Sequence, residues 1–128
     1  MPSDRKHSSK ILIIEDDKPM ARALELKLAH EGYNAKAVYN GDDGIEHVKN
    51  ENFDLILCDL VMPNTDGFMV LKVLKERKVK TPVIVLSNLA QEEDENKARA
   101  LGAVEFFTKS DTPIASIVQK INNILKTT

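Results

Sequence analysis

A carboxylate, Asp59, follows the apolar run Phe53-Asp54-Leu55-Ile56-Leu57-Cys58 and opens the segment Asp59-Leu60-Val61-Met62-Pro63-Asn64-Thr65-Asp66-Gly67. Three other runs end the same way. Ile11-Leu12-Ile13-Ile14 leads into Glu15-Asp16-Asp17, Val83-Ile84-Val85-Leu86 into Ser87, and Val104-Glu105-Phe106-Phe107-Thr108 into Lys109. Apolar runs of about four to eight residues, bounded by turn signals, read as buried strands. Parallel strands bring their C-termini to one sheet edge, and in open α/β folds ligands bind at that edge. Carboxylates, a hydroxyl and an ammonium gathered there are the inventory for holding a divalent metal and a phosphoryl group.

The segments between these runs read as helices, an outer strand and turns. Residues 18–31 carry Met20, Ala23, Leu24, Leu26, Leu28 and Ala29 as an apolar helical face that ends at Gly32. Residues 33–38 have the short alternation of an outer strand, and Asn40-Gly41 reads as a turn. Ile45 and Val48 mark a short amphipathic helix before Asn52. Gly67 opens a helix with Phe68, Val70, Leu71 and Leu74 on one side, and Pro82 begins the next strand. A charged helix over 91–101 stops at Gly102. Asp111 or Thr112 caps a last helix with Pro113 in its first turn and Ile114, Ile117, Val118, Ile121, Ile124 and Leu125 as its apolar face. Five strands alternating with five helices predict an α/β fold, a doubly wound five-stranded parallel sheet covered on both faces. The flavodoxin-like strand order 2-1-3-4-5 is consistent with this pattern and would set Asp16 beside Asp59.

The bulk properties fit one small domain. A chain of 128 residues typically buries roughly 65–70% of its unfolded surface around a single core. Hydrophobic residues make up 42% and charged residues 30%, ordinary proportions for a globular protein. A formal net charge of -2 gives no electrostatic reason to expect direct nucleic-acid binding. The single cysteine, Cys58, excludes an internal disulfide and reads as a small buried apolar residue. No apolar stretch reaches the roughly 20 residues that span a membrane, and the N-terminus lacks the apolar segment of a signal peptide. The expectation is a cytoplasmic protein with a flexible tail over residues 1–9 and one domain over 10–126. His7, His30 and His47 have no metal-ligand or phosphohistidine context and are assigned no role.

In the spacing of Glu15-Asp16, Asp59, Met62-Pro63, Asp66-Gly67, Ser87 and Lys109, the chain resembles the receiver domain of two-component response regulators from about residue 10 to residue 125. The resemblance implies that Asp59 accepts a phosphoryl group as an acyl phosphate. Asp16 would bind Mg²⁺ directly, Glu15 would hold a metal-bound water, and the Val61 carbonyl would complete the protein ligands with Asp59. Lys109 would pair with Asp59 at rest and with a phosphoryl oxygen afterwards, while Ser87 would hydrogen-bond another. The donor would be a histidine kinase or a histidine phosphotransfer protein. Ser87 and Phe106 would be the switch pair, biasing a surface made of the helix at 91–101, the strand at 104–108 and the last helix. That surface would serve an output partner the sequence does not name, and family analogy allows a homodimer through it. Such a chain catalyses its own phosphorylation and dephosphorylation, with no external substrate implied.

Four positions carry further expectations. Ser110 stands where the family usually has a proline after the lysine, typically joined by a cis bond. A cis bond before a non-proline residue costs roughly 2.5–4 kcal/mol, so either the bond is trans and the loop rebuilt, or strain is retained. Asn88, where Ala or Gly is usual, would narrow access to Asp59 or bond the phosphoryl group. Val61 and Leu89, two residues beyond Asp59 and Ser87, would neither orient nor admit an attacking water well, giving a slowly hydrolysed phospho-Asp59 and poor reaction with small donors. Two competing readings are an interaction-only pseudo-receiver and a Mg²⁺-dependent phosphohydrolase. The second would want an acid where Val61 stands.

Overall fold

The computed structural model describes residues 9–89 and 91–126, so most of the tail expected over 1–9, including His7, lies outside the described residues. Ser9 is buried, and its carbonyl accepts the Asn34 N–H at 2.9 Å. The strands are β1 (Lys10–Ile14), β2 (Asn34–Val38), β3 (Leu55–Cys58), β4 (Val83–Ser87) and β5 (Ala103–Thr108). They alternate with helices α1 (Lys18–His30), α2 (Gly41–Asn50), α3 (Gly67–Glu76), α4 (Glu92–Ala100) and α5 (Ile114–Lys126). Every pairing is parallel and the order is β2-β1-β3-β4-β5, as the sequence led one to expect.

Side-chain alternation divides the inner strands between two cores. Leu12, Ile14, Ile56, Cys58, Val83 and Val85 pack with Val70, Leu71 and Leu74 of α3 and Ala98 of α4. Ile11, Ile13, Leu55, Leu57, Ile84 and Leu86 pack with Leu24 and Leu28 of α1 and with Ile117, Val118, Ile121 and Leu125 of α5. Helices therefore cover both faces, and a sheet whose inner strands are buried twice presents chemistry only at its ends. The β4–β5 ladder has a register irregularity between Val83 and Ile84, which pair with Ala103 and Glu105. The extra residue, Val104, turns Phe106 to the same core as Ala103 and leaves Phe107 to the other.

Some boundaries differ from expectation. Asn40 is not in a free turn but caps α2, accepting the Asp43 N–H at 2.8 Å, with Gly41 as the first helical residue. Pro113 precedes α5 rather than lying in its first turn, and its carbonyl accepts from Ser116 N–H at 3.0 Å. Asp111 falls in a 3₁₀ turn, Lys109–Asp111. Helix α1 buries Ala21, Leu24 and Leu28, leaving Leu26 and Ala29 exposed. An i, i+3, i+7 stripe is enough to seat a helix on a sheet.

Candidate functional site

Asp59 and Glu15 each continue a ladder one residue past the end of a strand. The Asp59 N–H donates to the Ile14 carbonyl at 3.0 Å, and the Glu15 N–H to the Val38 carbonyl at 3.0 Å. With Ile14 opposite Cys58 in the β1–β3 register, the two acids emerge side by side. Carboxylate oxygens of Glu15, Asp16 and Asp59 lie within 4.8 Å of one another. Glu15 is 2% and Asp59 3% exposed, while Asp16 is half-buried. Three acids at this spacing repel unless a cation joins them.

Lys109 supplies one positive charge. Its Nζ donates to Asp59 Oδ2 at 3.0 Å and stands 2.8 Å from Glu15 Oε1. Burial alone would lower the lysine's pKa, but the bonds to Glu15 and Asp59 outweigh it and the net shift is upward. Burial pushes the Glu15 carboxyl up to about 7, the Asp59 charge adds to that, and Lys109 and the Asp17 N–H pull it back. Glu15 Oε2 accepts the Asp17 N–H at 2.9 Å, whereas Oε1 has its ion pair but no aligned hydrogen bond. An all-oxygen donor set with a buried, under-bonded carboxylate oxygen fits a hard divalent cation such as Mg²⁺.

Ser87 ends β4, fully buried, opposite Thr108 and so beside the residue that precedes Lys109. Its Oγ accepts the Leu89 N–H at 3.2 Å. Leu89 is half-buried against the Leu12–Ile14 core, and Phe106 is half-buried against the same core. Val61 does stand in the open, 55% exposed, with its N–H donating to Asp59 Oδ1 at 3.3 Å.

Neighbouring acids have separate work. Asp17 caps α1 through Met20 N–H (3.2 Å), and Asp66 caps α3 through Met69 N–H (2.9 Å). Gly67 is where α3 meets the Asp59 backbone. A Cβ there would lie 2.1 Å from the Asp59 carbonyl oxygen and 2.7 Å from Leu60 Cα. The Cys58 thiol is buried and donates to the Asp59 carbonyl at 3.2 Å; burial raises its pKa far above the ordinary thiol value. His30 is exposed, and His47 Nδ1 lies 2.9 Å from the Asp43 carbonyl of its own helix.

The Lys109–Ser110 bond is trans, with the chain rebuilt as the 3₁₀ turn. Asn88 Oδ1 accepts the Ser110 N–H at 3.1 Å. Sequence reasoning marked both positions without pairing them; the available signal was that a residue other than proline brings back an N–H in want of an acceptor. It also gave Lys109 only Asp59 as partner, because which acid lies nearer depends on side-chain packing at the strand ends.

Residues 11–122 match the response regulator receiver domain family. The cell cycle response regulator CtrA of Brucella ovis is 39% identical over 100 residues, covering 78% of this chain and 43% of the relative. The transcriptional regulatory protein DltR of Streptococcus agalactiae is 36% identical over 100 residues, covering 78% of this chain and 45% of its own. The chain thus spans less than half the length of these curated relatives. Among solved structures, the receiver domain of Francisella response regulator 1452 superposes with a TM-score of 0.88 at 28% identity, covering 93% of this chain and 98% of that one. The Vibrio cholerae chemotaxis protein CheY4 shares the fold with a TM-score of 0.84 at 20% identity, covering 91% and 98%. With the strand order, the acid trio and the lysine at the same sheet edge, the match leaves one assignment: the chain belongs to the response regulator receiver domain family.

Proposed function

We propose that this receiver takes a phosphoryl group from the phosphohistidine of a histidine kinase or histidine phosphotransfer protein onto Asp59. The observation that carries the reading is Lys109 Nζ 3.0 Å from Asp59 Oδ2, with Glu15 and Asp16 in the same acidic cluster. A bond forms between an Asp59 carboxylate oxygen and phosphorus as the P–N bond of the donor breaks, and the imidazole nitrogen keeps the electron pair. Lys109 is placed to trade its carboxylate partners for a phosphoryl oxygen, and Ser87 offers a hydroxyl at the neighbouring strand end. Asp16, Asp59, the Val61 carbonyl and, through water, Glu15 would hold Mg²⁺, which offsets the negative charge that gathers on the phosphoryl oxygens.

The phosphoryl group biases the face made by α4, β5 and α5, with Ser87 and Phe106 as the moving pair and packing rather than a new hydroxyl bond as the signal, since Phe106 has none. That face addresses the output partner and is the candidate homodimer surface. Val61 at the mouth orients no water, so phospho-Asp59 is long-lived and small donors react slowly; rapid self-dephosphorylation would sink this part. Among the described residues no helix is long and apolar enough to cross a membrane, and a cytoplasmic location suits a kinase-fed receiver. The competing pseudo-receiver reading has no observation in its favour.

Intact-protein mass spectrometry after incubation with Mg²⁺ and a phosphorylated histidine phosphotransfer domain tests the reading. A gain of one phosphoryl group by the wild type and none by Asp59→Asn is expected; no gain by the wild type across several donors would overturn it.

A further inference from the structure

The β4–β5 ladder ends at the pair Ser87–Thr108. One residue further along β4, and two beyond Thr108, the chains are joined again by the bond from Ser110 N–H to Asn88 Oδ1, at 3.1 Å. A side-chain carbonyl thus takes the place of the next backbone rung. The bond joins the residue after Ser87 to the residue after Lys109. The loop that holds the second of these residues carries Lys109, whose Nζ reaches Asp59.

We infer that Asn88 is a positioning residue for Lys109 in the phosphoryl-transfer reaction, an inference that rests on the reading of Asp59 as phospho-acceptor. The turn Lys109–Asp111 has no side-chain cap of its own. Among the described residues, the Asn88 bond is the only side-chain hydrogen bond that ties the backbone of this turn to another element. Lys109 must hold two carboxylates before transfer and a phosphoryl oxygen after it. The long side chain can swing between them only about a fixed Cα, and the Asn88 bond fixes it. The arrangement depends on both residues together. A proline at 110 has no N–H to give, and an alanine at 88 has no oxygen to receive it. Glu15, Asp16 and Asp59 follow β1 and β3, so Mg²⁺ affinity does not depend on the bond.

The test is a double-mutant cycle on the full chain with Asn88→Ala, Ser110→Pro and the double variant. Phosphorylation of Asp59 by phosphoramidate at saturating Mg²⁺ is followed by intact mass over time, with Mg²⁺ affinity measured alongside. Each single variant is expected to slow transfer by about three- to tenfold, the worth of one hydrogen bond, with Mg²⁺ affinity unchanged. The double variant should be no slower than the slower single one, because each change breaks the same bond. Transfer by Asn88→Ala at the wild-type rate, or two effects that multiply in the double variant, would overturn the inference. Amide exchange at Ser110 provides a second measurement that does not need Ser110→Pro to fold: protection lost in Asn88→Ala without slower transfer would overturn it equally. A wild type that gains no phosphoryl group from either phosphoramidate or a phosphorylated histidine phosphotransfer domain sinks the phospho-acceptor reading, and this inference with it.

Discussion

At Lys109 one ammonium serves two carboxylates that are almost without solvent, Glu15 and Asp59. Removing one partner of a buried pair costs more than the pair is worth, because the remaining charge stays buried. Lys109→Met is therefore expected to destabilise the metal-free protein by about 3 kcal/mol in urea melts, with much of the loss recovered by added Mg²⁺. The Glu15 carboxyl, raised from 4.5 to about 7 in the folded chain, adds a pH dependence. The folded state binds this proton more tightly than the unfolded state, so a penalty enters as pH rises from 4.5 and is complete somewhat above 7. Melting temperature in EDTA should fall across that window more steeply than in Mg²⁺. Adjacent Asp16 and Asp17 separate cleanly in the same assays. Asp17→Ala removes the α1 cap, costs about 1 kcal/mol and leaves Mg²⁺ affinity unchanged. Asp16→Ala, at the ligand position proposed for it, is expected to weaken Mg²⁺ binding in calorimetry without lowering metal-free stability, because it takes away a like charge. The acids, the hydroxyl and the lysine were all legible from position, since each ends or follows a strand. The second partner of Lys109 and the pairing of Asn88 with Ser110 were not, since neither follows from a period or a spacing.

Among the elements, α3 is held to the Asp59 loop by the absence of a side chain. The two nearest obstacles to a Cβ at Gly67 are both backbone, so neither can rotate away. Gly67→Ala should cost about 2–3 kcal/mol by overpacking and weaken Mg²⁺ binding, both read in a melt with and without metal. Gly102, at φ 110° with open space around its Cα, should cost only about 1–2 kcal/mol as alanine, with no effect on the metal. Helix α4 is weakly seated: it buries only Ala98 and has no side-chain cap bond, and the four acids of its first turn favour the helix itself without fastening it to the sheet. Its amides are expected to exchange faster than those of α5, which buries four apolar side chains. Equal protection in a hydrogen-exchange experiment would remove the physical reason for placing the moving surface there. The irregularity at Val104 marks the limit of pattern reading. Period-two alternation would put Phe106 and Ala103 on opposite faces, and only the extra residue in the ladder turns the aromatic ring to the α4 side.

For the molecule as a whole, the parallel doubly wound sheet was readable because inner strands buried on both faces are continuous apolar runs. Right-handed crossovers leave few topologies, and the observed order was consistent with the pattern without being deducible from it. Helix limits were less readable: Asn40 and Pro113 each became the residue just outside a helix, a choice made by local capping bonds. The same double burial governs Cys58, the only thiol in the chain. It is sealed in the sheet one residue before Asp59, so reagents reach it only when the central strands come apart. Alkylation of Cys58 should therefore proceed at the rate or population of global opening, and the same intact-mass spectrum would record each molecule's phosphoryl state. The chain carries its own unfolding clock, which, with Asp59 taking the phosphoryl group as proposed, can be read separately in the two forms without adding a label.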